Sequence, residues 1–210
     1  FLFQSETREI SPFDGIDIAG GPYEVTLSSG KEGSITLSGN VEDLENTKSY
    51  IINGKLIIKN KRKYRPREKV TIGIPIEEIS SVILRGSGKI KSQKIITSNR
   101  FKTVISGSGD IDLKVEATSI EAIISGSGVL HLSGKTENVE YKITGSGNIF
   151  AKDLKSQIGQ VKITGAGDIE MYTSESLNVN ITGSGNLLCY GNPERQITKV
   201  TGSGNITIRD

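Results

Sequence analysis

The chain has 210 residues, a formal net charge of +2, one cysteine, one histidine and no tryptophan. A single cysteine excludes an intramolecular disulfide, and one Cys with one His falls short of a zinc donor set. The near-balanced charge gives no bulk argument for nucleic acid, and no stretch approaches the 18 or more apolar residues that read as a membrane span.

Residues 1–80 read as β-rich without a strict period. No secretory leader is legible, and a chain that opens at Phe1 is expected to be a processed or truncated product. Ile16-Asp17-Ile18, Tyr23 to Leu27, Ser34 to Leu37, Leu56 to Ile58 and Val70 to Ile72 alternate or cluster as strands do. Ser28-Ser29-Gly30-Lys31 and Asn53-Gly54 are turn signals. Asn40 is placed to cap one helical turn through Glu42, Asp43 and Leu44.

One strong charge run follows. Lys59, Lys61, Arg62, Lys63, Arg65, Arg67 and Lys69 stand against the single acid Glu68. Pro66 and the missing apolar periodicity make this segment a loop. It reads first as a solvated connector, and otherwise as an anion contact for polysaccharide, phosphate-bearing headgroups or protein. Nucleic acid is disfavoured, because Tyr64 alone offers a stacking face.

From residue 81 the chain is periodic. Gly-Ser-Gly occurs six times and Gly-Ala-Gly once, the first glycines being Gly86, Gly107, Gly126, Gly145, Gly165, Gly183 and Gly202. The intervals are 21, 19, 19, 20, 18 and 19 residues, and a period near 20 marks a solenoid. Two residues before each triplet stands Leu84, Ile105, Ile124, Ile143, Ile163, Ile181 or Val200. Four residues after its first glycine stands Ile90, Ile111, Leu130, Ile149, Ile169, Leu187 or Ile206. Such a winding is too short for a strand and a crossover helix, which need roughly 30 residues. Coils of short strands, stacked in parallel about 4.8 Å apart, satisfy it. Cys189 falls on an apolar ladder position and reads as buried filler. Glycine serves positive φ or close backbone approach at the bend. If the chain runs through the triplet unbroken, its glycines face inward and its serine outward; a true turn would reset that parity, and the alternatives stay open here.

Stacking puts Lys89 over Asp110 and Lys91 over Asp112, with His131 next. This is ordinary ladder pairing, or the carboxylate cluster of a polysaccharide-cleaving β-helix. The second carboxylate pair, Asp168 and Glu170, falls three windings away, about 14 Å at the strand spacing, beyond either glycosidase geometry. No catalytic residue, cofactor or metal ligand is assigned. The remaining feature is a stripe of small polar residues: Thr144, Ser146, Asn148, Thr164, Thr182, Ser184, Asn186, Thr201, Ser203 and Asn205. It reads as internal hydrogen bonding along the stack, or as a flat face for glycan, protein or a sister subunit.

Units such as Ile143-Thr144-Gly145-Ser146-Gly147-Asn148-Ile149, with Phe13-Asp14-Gly15-Ile16 and Asn53-Gly54-Lys55-Leu56, resemble the bacterial family called putative auto-transporter adhesin, head GIN domain. Arg85, Lys89 and Ala166 depart from the repeat. The resemblance covers roughly residues 10–210. It implies a parallel β-helix, an extracytoplasmic setting (periplasm, outer-membrane lipoprotein or cell surface) and a role in adhesion, and it supplies no catalytic residues.

The expectation is an all-β, single-stranded parallel β-helix, right-handed, of about 19 residues per winding. One domain spans 1–210, with irregular windings and a cap over 1–80 and the regular array over 81–210. Some 10–11 windings fit if the whole chain coils. The expected function is a non-enzymatic, adhesin-like binding module for glycan or surface protein, without nucleic acid, membrane span or cofactor. The alternatives are a scaffold that self-associates through coil ends or polar face, forming a homo-oligomer, and a polysaccharide-cleaving enzyme.

Overall fold

The structure is a computed structural model and describes residues 2–31 and 33–210; Phe1 lies outside the described residues. The chain forms β1 (Phe3–Glu9), β2 (Gly15–Gly20), β3 (Tyr23–Ser29), β4 (Ser34–Asn40), α1 (Val41–Glu45), β5 (Thr47–Ile52), β6 (Lys55–Asn60) and β7 (Val70–Ile76). The array follows as β8 (Ser81–Gly86), β9 (Lys89–Gly107), β10 (Asp110–Gly126), β11 (Val129–Gly145), β12 (Asn148–Gly165), β13 (Ile169–Gly183), β14 (Asn186–Tyr190), β15 (Arg195–Gly202) and β16 (Asn205–Arg209).

The array is a parallel β-solenoid. Each of β9 to β13 is a bent strand running almost a whole coil, and each pairs in parallel with the next. The register stacks like on like: Ile105, Ile124, Ile143, Ile163, Ile181 and Val200 form one column, and Gly107, Gly126, Gly145, Gly165, Gly183 and Gly202 another. The isoleucines from Ile105 to Ile181 are at most 1% exposed. Burying each aliphatic rung contributes roughly 1.5–3 kcal/mol, and each rung depends on its neighbours to exclude water.

The triplet keeps the strand parity. Around the fourth unit Ile143 is buried, Thr144 exposed, Ser146 exposed, Gly147 buried and Ile149 buried. The glycines do different jobs. Gly107 has φ 125°, and a Cβ there would lie 2.7 Å from the carbonyl oxygen of Gly86. Gly147 is barred by approach alone, since its Cβ would meet the carbonyl oxygen of Gly128 at 2.7 Å. The corner carbonyls are used as well, accepting from the next coil, as in Ser127 N to Gly107 O at 2.9 Å.

Residues 1–80 do not coil in chain order. β2 pairs in parallel with β8 on one side and β6 on the other; β3 likewise joins β9 and β7. The level containing 55–76 thus lies beneath the level containing 15–29, and the array rises from the opposite side. Gly20 pairs with Gly86 and carries φ 101°, so it begins the glycine column one level early. Beneath everything, β5 pairs antiparallel with β6, β4 with β7, and β1 with β4. These antiparallel strands reduce the expected 10–11 windings to about seven turns, some 34 Å of stack at the usual strand spacing. Asn53 (φ 49°) and Gly54 (φ 74°) make the β5–β6 turn, the left-handed pair that suits a two-residue hairpin. Asn40 caps α1, its side chain accepting from Glu42 N at 3.0 Å.

Candidate functional site

Three surface features were legible as candidates, and the structure treats them differently. In the polar stripe, register stacks Thr144, Thr164, Thr182 and Thr201 in one outward column. All four are exposed, and among the described residues none of their hydroxyls has a hydrogen-bond partner within the chain. Ser146, Ser184 and Ser203 are exposed beside them. Asn148, Asn186 and Asn205 behave otherwise, because their column is stitched internally. Asn148 Oδ1 accepts from Asp168 N at 3.0 Å, Asp168 Oδ1 accepts from Asn186 N at 2.9 Å, and Asn186 Oδ1 accepts from Asn205 N at 3.2 Å. The amide column supports the stack, and the hydroxyl column stands free. Arg85, which interrupts the hydroxyl column, is tied instead to Asp17, with Nη2 to Oδ2 at 3.1 Å.

The basic loop folds over the corner made by Gly20 and Gly21, taking the place of a triplet between β6 and β7. A Cβ on Gly21 would lie 2.5 Å from the Pro66 ring. Asp43, 1% exposed on α1, anchors the loop. It accepts from Tyr64 Oη at 2.6 Å, Arg67 N at 3.1 Å and Glu68 N at 3.3 Å. Burial, with the bond to Asp43 second, pushes the Tyr64 phenol up to about 12. Two cations are engaged: Lys69 pairs with Glu24 at 2.9 Å, and Lys59 lies 5.5 Å from the centre of the Tyr50 ring. The side chains of Lys61, Arg62, Lys63, Arg65 and Arg67 are exposed and make no hydrogen bond or ion pair among the described residues.

The charged ladder stacks as its spacing predicts. Lys89 pairs with Asp110 at 3.5 Å, and Lys91 is registered beside Asp112, itself beside His131. His131 is registered beside Phe150, and Phe150 beside Glu170. Asp112 and Glu170 therefore stand three ladder steps apart, about 14 Å, and Asp168 is committed to Asn186. Phe150 was missed in the sequence because aliphatics and glycines carried the period. Its outward parity, one residue after the buried Ile149, was the available signal. Its ring stacks on His131 with centroids 5.1 Å apart.

Cys189 is fully buried, and burial pushes its thiol up to about 11, which suits filler and not a nucleophile. Among the described residues no group of three or more His, Cys, Asp or Glu is arranged to hold a metal ion. No helix is long and apolar enough to cross a membrane.

Solved structures share this architecture. A protein described as a putative adhesin from Bacteroides fragilis NCTC 9343 aligns with TM-score 0.89 at 18% identity, over 99% of this chain and 97% of that one. One described as a putative lipid binding protein from Parabacteroides distasonis ATCC 8503 aligns with TM-score 0.82 at 21% identity, over 99% and 97%. A putative adhesin from Parabacteroides merdae ATCC 43184 aligns with TM-score 0.73 at 19% identity, over 99% and 96%. At such identities the likeness establishes the fold. No curated protein matches the chain. The family model described as "Putative auto-transporter adhesin, head GIN domain" matches residues 12–193, and the chain belongs to that family.

Proposed function

We propose that the protein is a non-enzymatic, extracytoplasmic binding module, an adhesin-like head that contacts glycan through the flat flank of its solenoid. The carrying observation is the contrast between two neighbouring columns. The asparagines spend their side chains on the stack, whereas Thr144, Thr164, Thr182 and Thr201 leave a rank of hydroxyls unengaged at strand spacing. A rigid, regularly spaced set of donors and acceptors suits a ligand that is itself a polymer of hydroxyls, and a rigid surface loses little entropy on binding. The name of the family and the names of two of the three structural relatives support adhesion, the third being named for lipid binding. The five unengaged cations of the 61–67 segment offer a second contact, for anionic groups on the same surface.

The test is a triple variant, Thr144→Lys, Thr164→Lys and Thr182→Lys, compared with the parent on an array of host and bacterial polysaccharides. Loss of binding with an unchanged melting temperature supports the proposal. Unaltered binding, or a parent silent on the whole array, overturns it.

A second reading, a self-associating scaffold, has its own observation. β15 is exposed along its whole length, with Ile197 70% and Val200 39% exposed, and among the described residues it pairs only with β13. Free parallel edges invite pairing. Against it, the inward positions Leu177 and Val179 are followed in this last coil by Gln196 and Thr198, side chains that water can solvate. Light scattering separates the readings: a monodisperse monomer removes the scaffold.

A further inference from the structure

Phe150 is out of place. Its column faces solvent and reads Lys91, Asp112 and His131 before it and Glu170 and Leu188 after it, and Phe150 is 42% exposed. His131 stacks on the ring from one side, 5.1 Å between centroids, and the next residue in the column on the other side is Glu170. Immediately beyond these rings the ladder slips. The register shifts between His131 and Gly134 and again between Ala151 and Lys155, which lifts Lys152 and Asp153 out of line. A depression of about 340 Å³ results, lined by Asp112, His131, Phe150, Lys152, Asp153 and Glu170 among others. Several acids of the coil are paired: Glu116 with Lys135, Glu121 with Lys102 and Lys142, Asp110 with Lys89. Asp112, Asp153 and Glu170 make no hydrogen bond or ion pair among the described residues. Lys152, on the rim of the same depression, directs its Nζ at the Tyr190 ring, 5.6 Å from its centre.

We infer that this depression is a binding site for a protonated amino-sugar unit of a glycan, the Phe150 ring and the carboxylates of Asp153 and Glu170 receiving the ammonium and its neighbouring hydroxyls. An exposed aromatic face attracts a cation, unpaired carboxylates accept charge-assisted hydrogen bonds from it, and three acids against one engaged lysine make the charge complementary. The volume lies at the small end for ligand pockets, which suits one sugar ring and no bulkier group. The same acids repel uronic and sialic acids. The inference rests on the glycan reading above and adds a locus and a sugar class to it.

The test is calorimetric titration of the whole chain, at low ionic strength, with a glucosamine hexamer, its fully N-acetylated counterpart and an alginate hexamer. The variants Phe150→Ala, Asp153→Asn and Glu170→Gln are titrated alongside, their melting temperatures confirming the fold. The expected result is binding of the glucosamine oligomer, at least tenfold weaker binding of the acetylated one, no binding of alginate, and a loss of about fivefold or more in each variant. Absence of binding to the glucosamine oligomer, or equal affinity in all three variants, overturns the site. Should the parent bind another sugar on the polysaccharide array, with these variants unaffected, this site falls while the adhesin reading stands. Silence on the whole array removes both.

Discussion

Asp168 Oδ1 receives both N–H donors that Asn186 directs at it, the backbone amide at 2.9 Å and the side-chain amide at 2.8 Å. One carboxylate oxygen thereby ties two successive coils at the exit of the glycine corner, where the ladder is bent. Asp168→Ala is expected to lower stability by about 1 kcal/mol, the usual net worth of an exposed hydrogen-bonded pair. Urea unfolding followed by circular dichroism reads it; a midpoint equal to the parent's would mean that the amide column is ornamental.

Gly107→Ala and Ala166→Ser make a matched pair. Alanine at 107 must hold φ near 125° with its Cβ 2.7 Å from a carbonyl oxygen, and a loss of about 3 kcal/mol is expected. Serine at 166 restores the commoner triplet on an exposed outward position and is expected to leave stability within about 0.5 kcal/mol of the parent. Equal effects from the two changes would remove the division of labour between inward glycine and outward serine.

Ile143 is 1% exposed in the middle of its column. Ile143→Asp puts an unpaired carboxylate between Ile124 and Ile163, and a loss of about 4 kcal/mol or more is expected. Because neighbouring rungs depend on it, hydrogen exchange should accelerate across β10 to β12 together and not at β11 alone.

Two titrations bracket the working pH. Glu121 accepts from Lys142 at 3.1 Å and lies 2.9 Å from Lys102, and these contacts, Lys102 foremost, hold its carboxyl below the usual range. A depressed acid stabilises the fold above its unfolded pKa, and that contribution disappears as pH falls through the folded value. The penalty of Glu121→Gln should therefore be visible at pH 7 and fade as pH falls through the lowered pKa of the folded carboxyl, with a size under about 1 kcal/mol for so exposed a pair. Tyr64 behaves in the opposite sense. Its raised phenol stabilises the folded loop below about pH 10, and the contribution is lost as pH rises through about 12. Tyr64→Phe should erase that alkaline step in the melting temperature; a step that persists would place its origin elsewhere.

The array was legible because one residue type does one job at a fixed interval. A positive φ and a 2.7 Å approach admit only glycine at Gly107, and the aliphatics flanking each triplet have no solvated alternative. The helical turn after Asn40 was legible for the same local reason, an asparagine capping an acidic first turn. The order of levels in 1–80 was not. Pairing of β2 with both β6 and β8 joins segments 40 and 66 residues apart, and no periodicity encodes partners so distant. The strands β1 and β5 were hidden because their outward, half-polar faces dilute the alternation. In the polar stripe the residues were visible but their employment was not. Whether Asn148 reaches the next coil or solvent depends on a backbone N–H that only the stacked register supplies.

The early segment 15–29 is sandwiched between a level made of 55–76 and the start of the array at 81. A ribosome would release the inner slab first, with both of its flanks bare, and neither flank can close until some forty further residues have emerged. Growth of the coils from β9 onward is a local, zipper-like event, since each new turn joins one just completed. Assembly of the base is not, and such distant closures are slow. The base should therefore set the pace of folding, and a lesion there, at Ile16 or Leu56 for example, should delay the whole molecule more than an equal lesion near β13.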